Sequence, residues 1–170
     1  MDHRAIGVFD SGLGGLTVVK ELHKILPNEN IVYLGDTGRV PYGSRSRETI
    51  IKYAMEDIAF LKSRDVKMIV AACGTVSSTL PREISDHLGV PYADVVRPSA
   101  QEACRLTKQG RVGVVGTSAS IRSNSYGRTI SSLRLRCRSS AMPVHCWFTW
   151  WKTVWFSRII RSRVCRWRCI

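Results

Sequence analysis

At 170 residues the chain is long enough for one domain with a sizeable core. Absence of any apolar run of about 18 residues excludes a helical membrane span, and an acidic Asp2 with no apolar signal core after it predicts a soluble cytoplasmic protein. The net charge of +13 is unevenly placed: residues 131–170 hold nine of the 26 Lys and Arg but none of the 13 acids, together with all five tryptophans and four of the six cysteines. Two compositions are joined in one chain.

Taken in order, Ala5 to Phe9 reads as an apolar strand running into Asp10-Ser11-Gly12-Leu13-Gly14-Gly15, after which Leu16, Val19, Leu22 and Leu26 recur at helical spacing. This strand, glycine turn and helix resemble a dinucleotide loop. The third glycine of GxGxxG would fall at Thr17, however, and Asp10 would repel a pyrophosphate. The outward N–H groups of such a turn suit a small carboxylate equally well. Ile31 to Leu34 forms a second strand, followed by a Gly- and Pro-rich loop from Gly35 to Gly43. Ser46 is placed to cap a helix whose core face is Ile50, Ala54, Ile58 and Leu61.

The third strand, Met68 to Ala72, is closed by Cys73 and Gly74, and Val76 to His87 reads as helical. Cys73 therefore sits where a buried strand opens into a loop, the edge at which open α/β sheets bind ligands. A helix starting there would lower its thiol pKa from about 8.5. A cysteine on an apolar strand is more often a small buried hydrophobe. The flanking Gly74-Thr75 and Ser77-Ser78 favour the reactive role. Pro91 to Val96 and Arg111 to Val115 read as strands four and five, with a helix from Ser99 to Thr107 between them, and a further helix starts near Ala119 after Gly116-Thr117-Ser118. Cys104, on the intervening helix, reads as packing. The alternation predicts an α/β fold with an open parallel sheet and helices on both faces. Asp10, Asp36, Cys73 and Thr117 would then share one edge of that sheet.

Gly7-Val8-Phe9-Asp10-Ser11-Gly12-Leu13-Gly14-Gly15-Leu16-Thr17, Tyr33-Leu34-Gly35-Asp36, Pro41-Tyr42-Gly43, the Cys73 segment, and Gly116-Thr117 with Ile121-Arg122-Ser123 together resemble glutamate racemase across residues 5 to about 128. That family belongs to the cofactor-independent amino-acid racemases, with two similar α/β domains and one cysteine from each meeting across a cleft. The resemblance implies interconversion of L- and D-glutamate for peptidoglycan, with Cys73 as one base. Inversion needs a proton removed from one face of the α-carbon and another delivered to the opposite face, which is why two thiols serve. Asp10 and Ser11, Tyr42 and Gly43, Gly74 and Thr75, and Thr117 match substrate-binding positions, with Asp10 also placed to influence the thiol. No lysine lies in a Schiff-base context, and the resemblance implies no cofactor and no metal. It implies glutamate as the small-molecule partner and a homodimer in the intact family. One departure lies inside the site: the family carries Asn where this chain has Gly74, which removes a side-chain amide donor. An aspartate racemase of the same superfamily and a non-catalytic binding protein are the competing readings.

The resemblance divides the chain into a racemase-like α/β domain, residues 1–130, and a basic tail, residues 131–170, with no assigned fold. The tail reads as out of frame. If each codon's third base is joined to the next codon's first two from Met142 onward, the shifted frame spells Ala-(Cys)-(Pro)-Leu-Leu-Val-His-(Leu)-Val-Glu-Asn-(Gly), parentheses marking permitted but unforced residues. That resembles the family's second-cysteine segment and places a frameshift near residues 129–138. The tail's apolar residues show no sustained period, so neither nucleic-acid nor membrane-surface binding is expected of its Arg and Trp. Its cysteines lack the paired C-x-x-C spacing of a zinc site, and disulfides are not expected in a cytosolic enzyme.

Overall fold

The computed structural model describes residues 2–133 and 138–143. Strand β1 (Ile6–Asp10) is buried along its whole length, because every residue of Ile-Gly-Val-Phe-Asp can be taken from water on one face or the other. It pairs in parallel with β2 (Ile31–Gly35) on one side and β3 (Met68–Ala71) on the other, and β3 pairs with β4 (Tyr92–Asp94). The sheet order is β2-β1-β3-β4.

Each face of this sheet carries its own core. Helix α1 (Leu16–Ile25) packs Val18, Val19 and Leu22 against Ile6, Val8, Val70 and Ala72. Helix α2 (Arg47–Lys62) covers the other face with Ile50, Ala54, Ile58 and Leu61, against Phe9, Ile69 and Ala71. These are the four core residues expected of α2, and Ser46 caps it as expected, its hydroxyl accepting from the Thr49 N–H at 3.2 Å. The face of α1 is rolled from the expected one. Leu16 and Leu26 are exposed while Glu21 is buried, its carboxylate held by Lys24 at 2.7 Å.

The expected helix from Val76 to His87 is two short helices, α3 (Gly74–Thr79) and α4 (Arg82–Ser85). Pro81 breaks it: it lacks an N–H and drives Leu80 into the extended region at ψ 123°. Helix α5 (Val96–Leu106) begins earlier than expected, because the Asp94 carboxylate accepts from the N–H groups of Val96 at 2.7 Å and Arg97 at 3.2 Å.

The single five-stranded sheet is corrected by the structure. Strand β5 (Arg111–Gly116) does not join β4 but opens a second sheet, pairing in parallel with β6 (Arg138–Pro143). Between them lie α6 (Ser118–Ser123) and α7 (Ser125–Ser132), separated by Asn124 in the left-handed region at φ 51°. Ala100 and Cys104 of α5 and Ile130 of α7 pack on Val112 and Val114, so Cys104 is a core residue as expected. On the other face of this parallel pair Val115 is 63% and Met142 65% exposed, with nothing packed on them among the described residues. Strand β6 lies inside the segment given no fold above, whereas the tail's tryptophans and cysteines lie outside the described residues.

One stabilising cluster went unseen in the sequence. Arg39 bonds Asp36 at 2.6 Å, Asp57 at 2.9 Å and Glu56, and lies 4.4 Å from the Tyr53 ring centroid. Tyr42 donates to Asp36 and, at 3.2 Å, to Asp57. Burial, with the negative Asp36 next to it, pushes the Asp57 carboxyl up to about 6. A raised acid makes the folded state bind more protons than the unfolded state between roughly pH 4 and 6, so this group's contribution to stability falls as pH rises through that window. The Asp57→Asn variant is expected to flatten the pH dependence of the melting temperature there; an unchanged slope would assign it to other groups.

Candidate active site

The carboxyl edge of the first sheet is built from three loops. After β1 the chain turns at Asp10-Ser11 and re-enters at Gly15, whose N–H donates to the Asp10 carboxylate at 2.9 Å. Asp10 thereby closes the glycine turn on itself, which fixes the loop rather than leaving all its N–H groups for a phosphate. Gly15 has no alternative here, because a Cβ on it would lie 2.7 Å from that of Asp10 and 2.9 Å from that of Ala72. After β3, Cys73 takes the N-cap position of α3 with extended backbone, and its buried thiol donates to the Ser11 hydroxyl at 3.2 Å. The β1 and β3 loops are thus joined through the thiol itself.

The third loop is Tyr42-Gly43, and it meets the second sheet. A Cβ on Gly43 would lie 2.5 Å from that of Thr117, and the Gly43 carbonyl accepts from the Ala119 N–H at 3.1 Å. Thr117 caps α6 by accepting from the Ser120 N–H at 3.3 Å, and its hydroxyl lies 3.1 Å from that of Thr75. Thr117 therefore reaches the Cys73 loop although β5 belongs to another sheet. Ser120 was missed in the sequence: its hydroxyl is 3.0 Å from both Thr117 and Ser78, extending the line of hydroxyls along α3. The Thr117-Ser120 spacing of an N-cap and its third residue was the available signal.

Two expected residues behave differently from their neighbours. The Tyr42 side chain is buried and its hydroxyl bonded to Asp36 and Asp57, so the ring is structural and only the backbone of Tyr42-Gly43 remains for a ligand. Asp36 follows β2 as expected, but it belongs to the Arg39 cluster. At Gly74 the backbone has room: a Cβ there meets nothing within 4 Å, so the residue next to the thiol faces open space. Tyr33, whose hydroxyl donates to the Gly12 carbonyl at 2.8 Å, braces the glycine turn and has its pKa raised, first by burial and then by Asp10 and Cys73. Among the described residues no group of three His, Cys, Asp or Glu is placed to hold a metal ion.

The surroundings of the Cys73 thiol are polar, with the hydroxyls of Ser11, Thr75 and Thr117 and the backbone at Gly43 and Gly74 gathered there, a set that suits a small zwitterion. No protein-family model matches the chain. It is 47% identical over 133 residues to glutamate racemase of Geobacter metallireducens, covering 78% of this chain and 49% of that protein. To glutamate racemase of Lactococcus lactis subsp. lactis it is 48% identical over 145 residues, 85% of this chain and 52% of the relative. Among solved structures, a glutamate racemase isoform from Bacillus anthracis superposes with a TM-score of 0.78 at 40% identity, covering 84% of this chain and 55% of that one. Glutamate racemase from Francisella tularensis in complex with D-glutamate gives 0.77 at 41%, covering 84% and 53%. The chain spans about half the length of the curated relatives it matches. With the thiol, hydroxyl and glycine loops laid out on this α/β sheet, the chain is similar to glutamate racemases over about four fifths of its own length and about half of theirs.

Proposed function

We propose that this chain supplies one half of a glutamate racemase active site, in which Cys73 exchanges a proton with the α-carbon of glutamate without a cofactor. The observation that carries the reading is the Cys73 thiol held by Ser11 at the mouth of the first sheet, with Thr75 and Thr117 beside it. As thiolate, Cys73 takes the α-proton while the Cα–H bonding pair passes into the α-carboxylate as an enediolate; a second acid on the opposite face then returns a proton to carbon. Among the described residues that second group is not a cysteine, since Cys104 packs under β5. The partner thiol is assigned to the half of the family's length that the matched residues do not cover. Ser11 orients the thiol, and the backbone of Tyr42, Gly43 and Gly74 with the Thr75 and Thr117 hydroxyls holds the carboxylates. Asp10 holds the glycine turn and acts on the thiol through it.

The product, D-glutamate, serves peptidoglycan synthesis in the cytoplasm, and the intact enzyme is a homodimer. Among the described residues no helix is long and apolar enough to cross a membrane. Residues 1–130 form the racemase domain, and the frame downstream is shifted. The test is to restore the reading frame and assay both L-glutamate and L-aspartate: inversion of glutamate is expected to be faster, and faster inversion of aspartate would overturn the reading.

Gly74 gives a second test. The Gly74→Asn substitution places an amide donor in open space next to Cys73, with no clash to relieve. One added hydrogen bond to a substrate carboxylate is expected to lower KM for glutamate about tenfold in the frame-restored enzyme. An unchanged KM would place the carboxylate elsewhere.

A further inference from the structure

The loop that follows β2 delivers the backbone of Tyr42 and Gly43 to the edge where the two sheets meet. From residue 37 to residue 44 its backbone bonds outside its own turns at one place among the described residues: the Gly43 carbonyl accepts from the Ala119 N–H at 3.1 Å. Side chains therefore set the position of the loop, and two of them reach back to α2. Arg39 bonds Asp57 at 2.9 Å and Glu56, besides Asp36 at 2.6 Å, and Tyr42 donates to Asp36 and, at 3.2 Å, to Asp57. Asp57 is only 3% exposed, and its two oxygens accept one bond each from Arg39 and Tyr42.

The far end of the loop is closed by contact. A Cβ on Gly43 would lie 2.5 Å from Cβ and Cγ2 of Thr117, so the backbone stands close against that side chain and has no room to approach it further. Withdrawal from Thr117 is the movement that remains, and it lengthens the bond to Ala119. Thr117 is in turn 3.1 Å from Thr75, two residues after the thiol. A buried carboxylate that loses its hydrogen-bonded partners is costly, which is why such a network holds a single geometry.

We propose that Asp57 is a positioning residue for the thiol site: through Arg39 and Tyr42 it holds the Tyr42-Gly43 backbone against Thr117 and Ala119, where a substrate carboxylate is bound. The substrate part of this inference rests on the racemase reading; the loop part rests on the hydrogen bonds alone. A network that only stabilised the fold would change how much protein is folded, lowering kcat and leaving KM as it is. A loop drawn out of place weakens substrate binding and raises KM instead.

The test compares Asp57→Ala, which removes both acceptor oxygens, with Asp57→Asn, which keeps one in a side chain of the same shape. In the 170-residue chain, hydrogen exchange followed by NMR reads two amides. Ala119 lies in the first turn of α6, where its N–H has no partner within the helix and depends on Gly43; Ala72, bonded to the Phe9 carbonyl at 2.8 Å in the first sheet, is the reference. With Asp57→Ala the Ala119 amide is expected to exchange about tenfold faster relative to Ala72, and Asp57→Asn is expected to recover most of the difference. Tyr42→Phe keeps the buried ring and removes only the hydroxyl, so it decides the matter if alanine at 57 prevents folding; about threefold faster relative exchange is expected of it. In the frame-restored enzyme Asp57→Ala is expected to raise KM for glutamate about tenfold with kcat within about twofold, and Asp57→Asn to stay within about threefold of the unsubstituted KM. Equal acceleration of the two amides, or a fall in kcat at constant KM, overturns the proposal. If the unsubstituted frame-restored enzyme does not invert glutamate, the racemase reading falls, and the ratio of the two amides still decides whether Asp57 holds the loop.

Discussion

Racemisation of glutamate by the 170-residue chain alone is expected to stay at the uncatalysed background, whereas the frame-restored enzyme turns over and loses about 10³-fold or more on Cys73→Ser. Proton abstraction and proton return occur on opposite faces of the α-carbon, and the described residues bring one thiol to the cleft. A single thiol can remove the α-proton and restore it on the same face, which gives exchange without inversion. Two measurements separate these outcomes. Circular dichroism of L-glutamate incubated with the chain reports inversion, and proton NMR in D₂O reports loss of the α-proton. Exchange abolished by Cys73→Ser, with no inversion, is the expected pair. The exposed Val115 and Met142 of the second sheet add a companion expectation, since exposed apolar surface promotes association. Robust Cys73-dependent racemisation by a 170-residue monomer in gel filtration would show that the second acid lies within this chain.

The Gly15→Ala variant is expected to lose about 1–3 kcal/mol of stability and to disturb the cleft at the same time. Gly15 lies in the right-handed region at φ −65°, so alanine is conformationally acceptable and the cost is steric. The added methyl would stand 2.7 Å from the Asp10 Cβ and 2.9 Å from the Ala72 Cβ. Neither atom can rotate away, because each is fixed to the backbone at the carboxyl end of a central strand. Relief requires β1 and β3 to part or the glycine turn to lift, and lifting it breaks the Gly15 N–H bond to Asp10. Urea denaturation of the chain checks the first effect: the midpoint is expected to fall by about 1 M at the slope usual for a domain of this size. In the frame-restored enzyme KM for glutamate is expected to rise, because Ser11 moves with the turn. An unchanged midpoint would mean that the loop absorbs a methyl group without cost.

The fold was readable wherever a local pattern coincided with its long-range outcome. Helix α2 shows this: Ser46 and the spacing of Ile50, Ala54, Ile58 and Leu61 specify both its start and its buried face, and the structure uses both. Helix α1 shows the limit. Its leucines have helical spacing, but which side turns inward is set by the glycine turn ahead of it, which Asp10 clamps at Gly15, and Leu16 is left 45% exposed. The break at Pro81 was legible in principle, since proline forbids a continuous helix, and the apolar spacing concealed it.

By itself, then, the sequence determined the parallel β1-to-β4 layer with helices on both faces, the placing of Asp10, Ser11 and Cys73 at its carboxyl edge, and the resemblance to glutamate racemases. These follow from local signals: apolar runs of strand length, glycine turns and motif order along one chain. Tertiary structure decided that β5 leaves the first sheet, that Thr117 still reaches Thr75, and that Tyr42 turns its hydroxyl to Asp36 and Asp57. It also drew Asp36, Glu56 and Asp57 around the Arg39 guanidinium. Each of these depends on contacts between residues far apart in the chain, and neither hydrophobic period nor turn chemistry carries information about which distant partner a strand edge, a phenol or a guanidinium will meet.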